Sequence, residues 1–195
     1  MEALDAIPDP VDTGKKSGKL NAAVAITVAL LATFMGICKV KDDNINQSMQ
    51  QSQANKVDHW SYYQARNVRE EVARATIDQL TVAASAQGAD KAAAQAAIAR
   101  YTQIASNQAQ KKAEAKAQAE QDQKDYDAAN FRDDQFDLSD ALLAIAISLL
   151  AITALTQQLW LYLAALVPIG FGVLMGVAGL AGWRIHPDAL IALLS

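Results

Sequence analysis

The chain is poor in the residues that usually carry chemistry. Its 195 residues include one cysteine, two histidines and four prolines. A single cysteine excludes a disulfide within the chain and a cysteine-built metal site. Cys38 ends an apolar block and reads as a small buried hydrophobe rather than a lipidated or reactive thiol. The two histidines, His59 and His186, are separated by most of the chain. No H-E-x-x-H and no glycine-rich phosphate loop occurs. Asp58 and His59 are adjacent, so a helix would point them in different directions. Ser139–Asp140 reads as a helix cap and polar interface pair, because no base stands beside it to activate a nucleophile. These absences argue for a chain without catalytic residues, cofactor or metal. Net charge is −4, which leaves no basic footprint for nucleic acid.

Two absences bear on structure. From Lys39 to Asp137 there is no proline, and Gly88 is the one glycine. That stretch is rich in Ala, Gln, Lys and Glu, all good helix formers, and its 13 Lys+Arg nearly balance 15 Asp+Glu. Large apolar residues are scarce there because they are concentrated in three uncharged blocks elsewhere.

The first block, "LNAAVAITVALLATFMGIC" (20–38), has the length that a helix needs to cross a bilayer core. Lys15, Lys16 and Lys19 precede it, as in an uncleaved signal-anchor. The second covers 138–156 and the third 159–182, with Gln157 and Gln158 as the turn between them. None of the three shows a polar stripe, which argues against core helices of a soluble bundle. Trp160 and Tyr162 fit an aromatic belt at one interface, and Trp183 and Arg184 fit the opposite one. The third block carries Gly170, Gly172, Gly176, Gly179 and Gly182. Gly172 with Gly176, and Ala178 with Gly182, form small-xxx-small pairs that admit a close helix contact, with the second span or another subunit. Pro168 predicts a mild bend.

Three crossings put the N-terminus and the Gln157–Gln158 turn on one side, and the polar excursion and C-terminus on the other. The early lysines favour a cytoplasmic N-terminus and a periplasmic excursion. The expected architecture is all-α: a flexible tail (1–19), three transmembrane helices, and an extramembrane antiparallel helical hairpin (39–137) turning near 87–90. A short interfacial segment (183–195) follows.

The second arm of that hairpin has a regular beat. Ala94, Ile98, Tyr101, Ala105, Gln108, Lys112, Ala115, Ala119, Asp122 and Tyr126 follow steps of four and three, the spacing of a coiled-coil seam. The first arm answers with Val68, Val72, Ala75 and Gln79, beside Ile77 and Leu80. A seam so rich in alanine buries little area, so the hairpin is expected to lean on copies of itself.

The stretch "DHWSYYQARNVREEV" (58–72) places rings in this polar setting. Trp60 lies roughly 33 Å beyond Cys38 along a straight helix, at 1.5 Å per residue, which takes it out of an interfacial belt. On a helix Trp60, Tyr63, Gln64 and Asn67 share a face while Tyr62 points elsewhere, near Arg66. The element therefore predicts a two-sided packing node.

The chain resembles an uncharacterised family of small bacterial membrane proteins defined as a domain of unknown function. The resemblance rests on a W-x-Y-Y-Q-x-[KR] element after the first span (Trp60, Tyr62, Tyr63, Gln64 and Arg66). It rests also on Arg100–Tyr101 in the second arm and a Phe136–Asp137–Leu138 run entering the terminal spans, and it covers roughly 20–182. The second arm is more Ala/Gln-rich than the family pattern. The resemblance implies a three-span architecture in the inner membrane and no catalytic assignment. The expected function is a non-enzymatic membrane scaffold or adaptor, assembling with itself or with another membrane protein. The alternative is a subunit of an oligomeric channel, although the spans offer only Thr27, Thr33, Ser148 and Thr153 as interior polar groups.

Overall fold

The computed structural model describes residues 10–88 and 90–185, with side chains from Gly18 onward. Lys15, Lys16, Ala89 and the whole segment from His186 through Pro187 to Ser195 fall outside the described side chains or residues. Among the described residues the chain is entirely helical: α1 (Pro10–Ala84), α2 (Lys91–Thr156) and α3 (Leu159–Ala181). α1 opens at Pro10, upstream of the apolar block, where proline's fixed φ suits a first helical position. Each of the three helices has a stretch long and apolar enough to cross a membrane.

The chain divides into two compact units, one built from the two ends of the sequence and one from residues 47–129. In the first unit the early part of α1, the late part of α2 and all of α3 surround a core of Val24, Leu31, Leu143, Leu150 and Ala165. Phe34, Ile147, Tyr162 and Val173 pack against it. α2 ends at Thr156 and α3 begins at Leu159. Gln157 makes so tight a reversal possible by taking φ +58°, an uncommon conformation for a residue with a Cβ. Its side-chain amide Nε2 donates to Asn21 Oδ1 at 2.7 Å. The hydroxyls of Thr27, Thr33, Ser148 and Thr153 each donate to the carbonyl four residues earlier, so none of these four is left unpaired.

The second unit is an antiparallel pair. Lys56 meets Gln123, His59 meets Asp122, Arg66 meets Gln108 and Glu70 meets Lys112. From Lys56–Gln123 to Glu70–Lys112 residue numbers rise along one arm and fall along the other, with the long Arg66 side chain reaching Gln108 out of strict order. The turn has Gly88 at φ +84°, and Asp90 caps α2 by accepting from Ala93 N–H at 3.0 Å. Every residue of the seam read along the second arm is at least half-buried, and Ala105, Ala115 and Ala119 are buried.

The first arm faces the other way from the expectation. Val68 and Val72 are 61% and 60% exposed, and Ala75 and Gln79 are exposed too. The inward residues are Tyr63, Arg66, Asn67, Glu70, Ala73, Ile77 and Leu80. Polar matching decides the face. The second arm turns Gln108, Lys112 and Asp122 inward, and only a polar face on the first arm can satisfy them. Lys112 Nζ reaches Glu70 at 2.6 Å and Asn67 at 3.1 Å, and Arg74 reaches Glu70 at 2.6 Å. Hydrogen bonds from Lys112 and then Arg74 hold the Glu70 carboxyl below its ordinary range. A depressed carboxyl stabilises the fold above its unfolded value and loses that contribution as pH falls through the folded value. Glu70→Gln is therefore expected to lower the melting temperature of the hairpin at neutral pH. It should have no such effect in acid, below the ordinary glutamate range, as followed by circular dichroism.

Candidate functional site

The most organised polar chemistry lies in the first unit, where α2 meets α3. Arg132, Gln135 and Ser139 follow one another by three and four residues, so they share a face of α2. All three donate to backbone carbonyls of α3 or its C-terminal end. Arg132 Nη2 reaches Gly179 O at 2.9 Å, and Ser139 Oγ reaches Gly172 O at 2.8 Å. Gln135 Nε2 reaches Trp183 O at 2.8 Å and Ile185 O at 2.6 Å. Late helical carbonyls have no partner within their own helix. Arg132 supplies one to Gly179 from outside, and the fully buried Gln135 serves two carbonyls just past the helix end.

Glycine makes this approach possible. A Cβ on Gly172 would stand 2.9 Å from the Leu143 side chain. On Gly176 it would stand 2.7 Å from the Phe34 ring and 2.9 Å from Ser139 Oγ, and on Gly179 2.8 Å from the Phe136 ring. These three glycines form a trough that admits α2 and the ring from α1. Gly182 does something different from helix packing: at φ +70° it ends α3, with its N–H on Ala178 O and nothing within 4 Å of where a Cβ would be. Trp183 N–H also donates to Ala178 O, at 2.9 Å.

Beside the trough, α1 and α2 bring carboxylates together. Asp42 is 3% exposed, accepts from Lys39 Nζ at 2.7 Å, and shares the Asn46 amide with Asp133. Asn46 Nδ2 lies 2.8 Å from Asp133 Oδ1 and 3.4 Å from Asp42 Oδ1. Burial, then a hydrogen bond to Asp42 and the charges of Asp137, Asp42 and Asp134, raise Asp133 to about 7. Burial and the Asp42 charge raise Asp137 as well, with Lys39 opposing. Lys39 is in turn raised by its bond to Asp42. The side chains of this region offer no pairing of nucleophile and base. Among the described residues no group of three or more His, Cys, Asp or Glu is arranged to hold a metal ion.

The aromatic residues divide among different surroundings. Trp60 and Tyr63 pack edge to face with ring centroids 5.3 Å apart. Tyr63 is half-buried and Gln64 exposed. Tyr62 is 58% exposed and lines a shallow groove of about 280 Å³ with Arg66, Lys111, Glu114 and Gln118 over Ala115. Arg66 crosses to Gln108 at 3.1 Å. Tyr101 lies under the guanidinium of its neighbour Arg100, 5.1 Å from the ring centroid. Near the α2–α3 turn Trp160 is 64% exposed, whereas Tyr162 is turned inward, its hydroxyl 3.1 Å from Thr27 Oγ1. Trp183 and Arg184 are exposed.

Reading the sequence singled out the glycines but missed their partners. "FRDDQFDLSD" (131–140) draws the eye as a run of acids. Its informative content is the spacing Arg132, Gln135, Ser139, Leu143, Ala146, Leu150, Thr153, a seam of threes and fours that is buried from Gln135 onward.

No curated protein and no solved structure matches the chain. Residues 20–182 match the model of one protein family, described as a domain of unknown function. That match takes in the glycine trough, the polar clasp of α2 and the whole hairpin, and on it the chain belongs to the DUF4337 family.

Proposed function

We propose that this chain is a multi-pass membrane protein that acts as a non-enzymatic scaffold, with its hairpin outside the bilayer. The observation that carries the reading is how the first unit distributes its side chains. Ile26, Leu30 and Ile37 of α1 and Leu163, Val167 and Phe171 of α3 point outward, each more than half exposed. Inward, the large side chains of the core are interleaved with small or polar residues: Gly172, Gly176, Ser139, Thr153 and Ala146. Water would penalise that outward surface, while lipid favours it, and small residues inside allow helices to pack where no hydrophobic force drives them together. In the second unit an interior of alanine and matched polar groups gains little from burial, about 0.8 kcal/mol per methylene, which favours association of hairpins.

The test is fractionation followed by mass measurement. The protein should stay with membranes through alkaline carbonate and run in mild detergent as a discrete oligomer. A monodisperse monomer would remove the scaffold reading. For orientation, with the N-terminus cytoplasmic and the hairpin periplasmic in an inner membrane, Gly88→Cys should react with an impermeant maleimide in intact cells. Reaction only after lysis would reverse the orientation. Trp60→Ala should reduce the oligomer fraction by more than it reduces membrane insertion. A variant that keeps full oligomer mass would take Trp60 out of the assembly surface.

A further inference from the structure

We propose that the groove on the flank of the hairpin at Tyr62, Arg66 and Lys111 is a binding site for a small carboxylated sugar. The inference goes beyond the scaffold reading and stands without it, because all the lining residues lie in the second unit. Tyr62 and Arg66 come from α1, one turn apart. Lys111, Glu114 and Gln118 come from α2, over the buried Ala115. The W-x-Y-Y-Q-x-[KR] element is thereby divided: Trp60 and Tyr63 pack on each other, while Tyr62 and Arg66 line the groove.

The charges select an anion. Arg66 is half-buried, yet its one polar contact among the described residues is with a neutral amide, Nη1 donating to Gln108 Oε1 at 3.1 Å. Lys111 has no ion-pair partner among the described residues. Carboxylates within a turn of these cations are engaged elsewhere. Glu70 is held by Lys112 and Arg74 at 2.6 Å each, and Glu114 accepts from Gln110 at 2.9 Å. The bond to Gln108 fixes the guanidinium and leaves its Nε–Nη2 edge unpaired. That edge can fork onto a carboxylate with two parallel bonds, and a half-desolvated cation gains more from such a partner than one in open water does. Two cations and one carboxylate line the groove, which suits a single negative charge rather than a polyphosphate. The remaining walls suit a hydroxylated ring. Tyr62, 58% exposed, offers the negative face of its ring to saturated C–H groups. The second oxygen of Glu114 and the amide of Gln118 can pair with hydroxyls. A volume of about 280 Å³ is small for a ligand pocket and has room for one sugar ring.

Ligand-observed saturation-transfer NMR on the full chain in detergent micelles tests this, with D-glucuronate as the probe. Glucuronate should receive saturation from the protein. D-glucose and acetate, each lacking one half of the ligand, should bind at least tenfold more weakly, and inorganic phosphate should compete no better than acetate. Lys111→Gln, which breaks no bond within the hairpin, should weaken glucuronate about tenfold, the loss expected of a charge-assisted bond. Tyr62→Ala should weaken it several-fold and leave acetate unchanged. Acetate binding as well as glucuronate, or Tyr62→Ala without effect, would reduce the groove to a plain anion site and overturn the sugar. Phosphate displacing glucuronate at lower concentration than acetate does would overturn the carboxylate. Saturation that survives Lys111→Gln at full strength would place the binding elsewhere and overturn the site.

Discussion

Gly176→Leu is expected to disassemble the three-helix unit. The position where a Cβ would be built is already 2.7 Å from two atoms of the Phe34 ring and 2.9 Å from Ser139 Oγ. Even alanine must push the ring or the hydroxyl aside, and overpacking of this kind costs about 1–3 kcal/mol. Leucine cannot be accommodated without separating α3 from α1 and α2, and that separation takes the bond from Ser139 to Gly172 with it. The neighbours sharpen the expectation. Gly179→Ala should also destabilise, because its Cβ would meet Phe136, a ring that is 2% exposed. Gly170→Ala should be neutral or slightly stabilising, by about 0.5–1 kcal/mol, since nothing lies within 4 Å and alanine is the better helix former. Thermal unfolding in detergent should rank Gly176→Leu well below Gly176→Ala, and Gly170→Ala at or above the parent. Phe34→Leu should recover part of the loss in Gly176→Ala. Equal melting of Gly176→Ala and Gly170→Ala would mean that α3 does not pack through this face.

The first unit should lose stability as pH rises through neutrality. Asp133 is raised from the ordinary aspartate value of 3.8 to about 7. A group whose folded pKa lies above its unfolded value holds its proton more tightly in the fold. Its contribution is complete below about pH 4 and disappears as pH climbs through about 7. The physical picture agrees with the sign. Asp42 and Asp133 reach one Asn46 amide, Asp134 and Asp137 are close enough for their charges to act on Asp133, and Lys39 is the cation beside Asp42. One proton lets two carboxyls share that site, and its loss leaves two negative charges against each other. With solvent screening of a half-buried group, the contribution is about 1–2 kcal/mol. Asp133→Asn should flatten the profile between pH 5 and pH 8 and raise stability at the alkaline end. A variant whose melting temperature still falls with pH as steeply as the parent's would place the titration elsewhere. The hairpin should behave in the opposite sense, because its buried carboxyl, Glu70, is depressed and its stability is lost on the acid side.

The sequence and the structure agree most closely where a pattern is local. Helices in place of strands followed from a hundred residues without proline and nearly without glycine, a matter of backbone freedom that each residue settles for itself. Apolar blocks of bilayer length were legible because hydrophobicity is a property of a window. The second-arm seam could be read as well, because alanine at heptad spacing has little other use, and the inward face follows it from Ala94 to Tyr126.

The first arm shows where such reading ends. Its two candidate faces both keep time with the heptad, one through Val68 and Val72, the other through Arg66, Glu70 and Ala73. Hydrophobicity favoured the valines. Choosing between the faces required knowing that the second arm brings Lys112, Gln108 and Asp122 to the same contact, and that these must be paired when water is excluded. In the same way, the glycines of α3 announced a close contact without naming its partner. Phe34, Phe136, Ser139 and Leu143 reach them from two other helices, and Gly182, alike in sequence, became a helix cap instead. By itself the sequence determined that the chain from the first apolar block onward is helical, where it turns, and which segments are apolar on all sides, while the start of α1 at Pro10, inside the expected flexible tail, escaped it. Only the tertiary structure decided which face of each helix is inside, because that depends on complementarity between segments far apart in the chain.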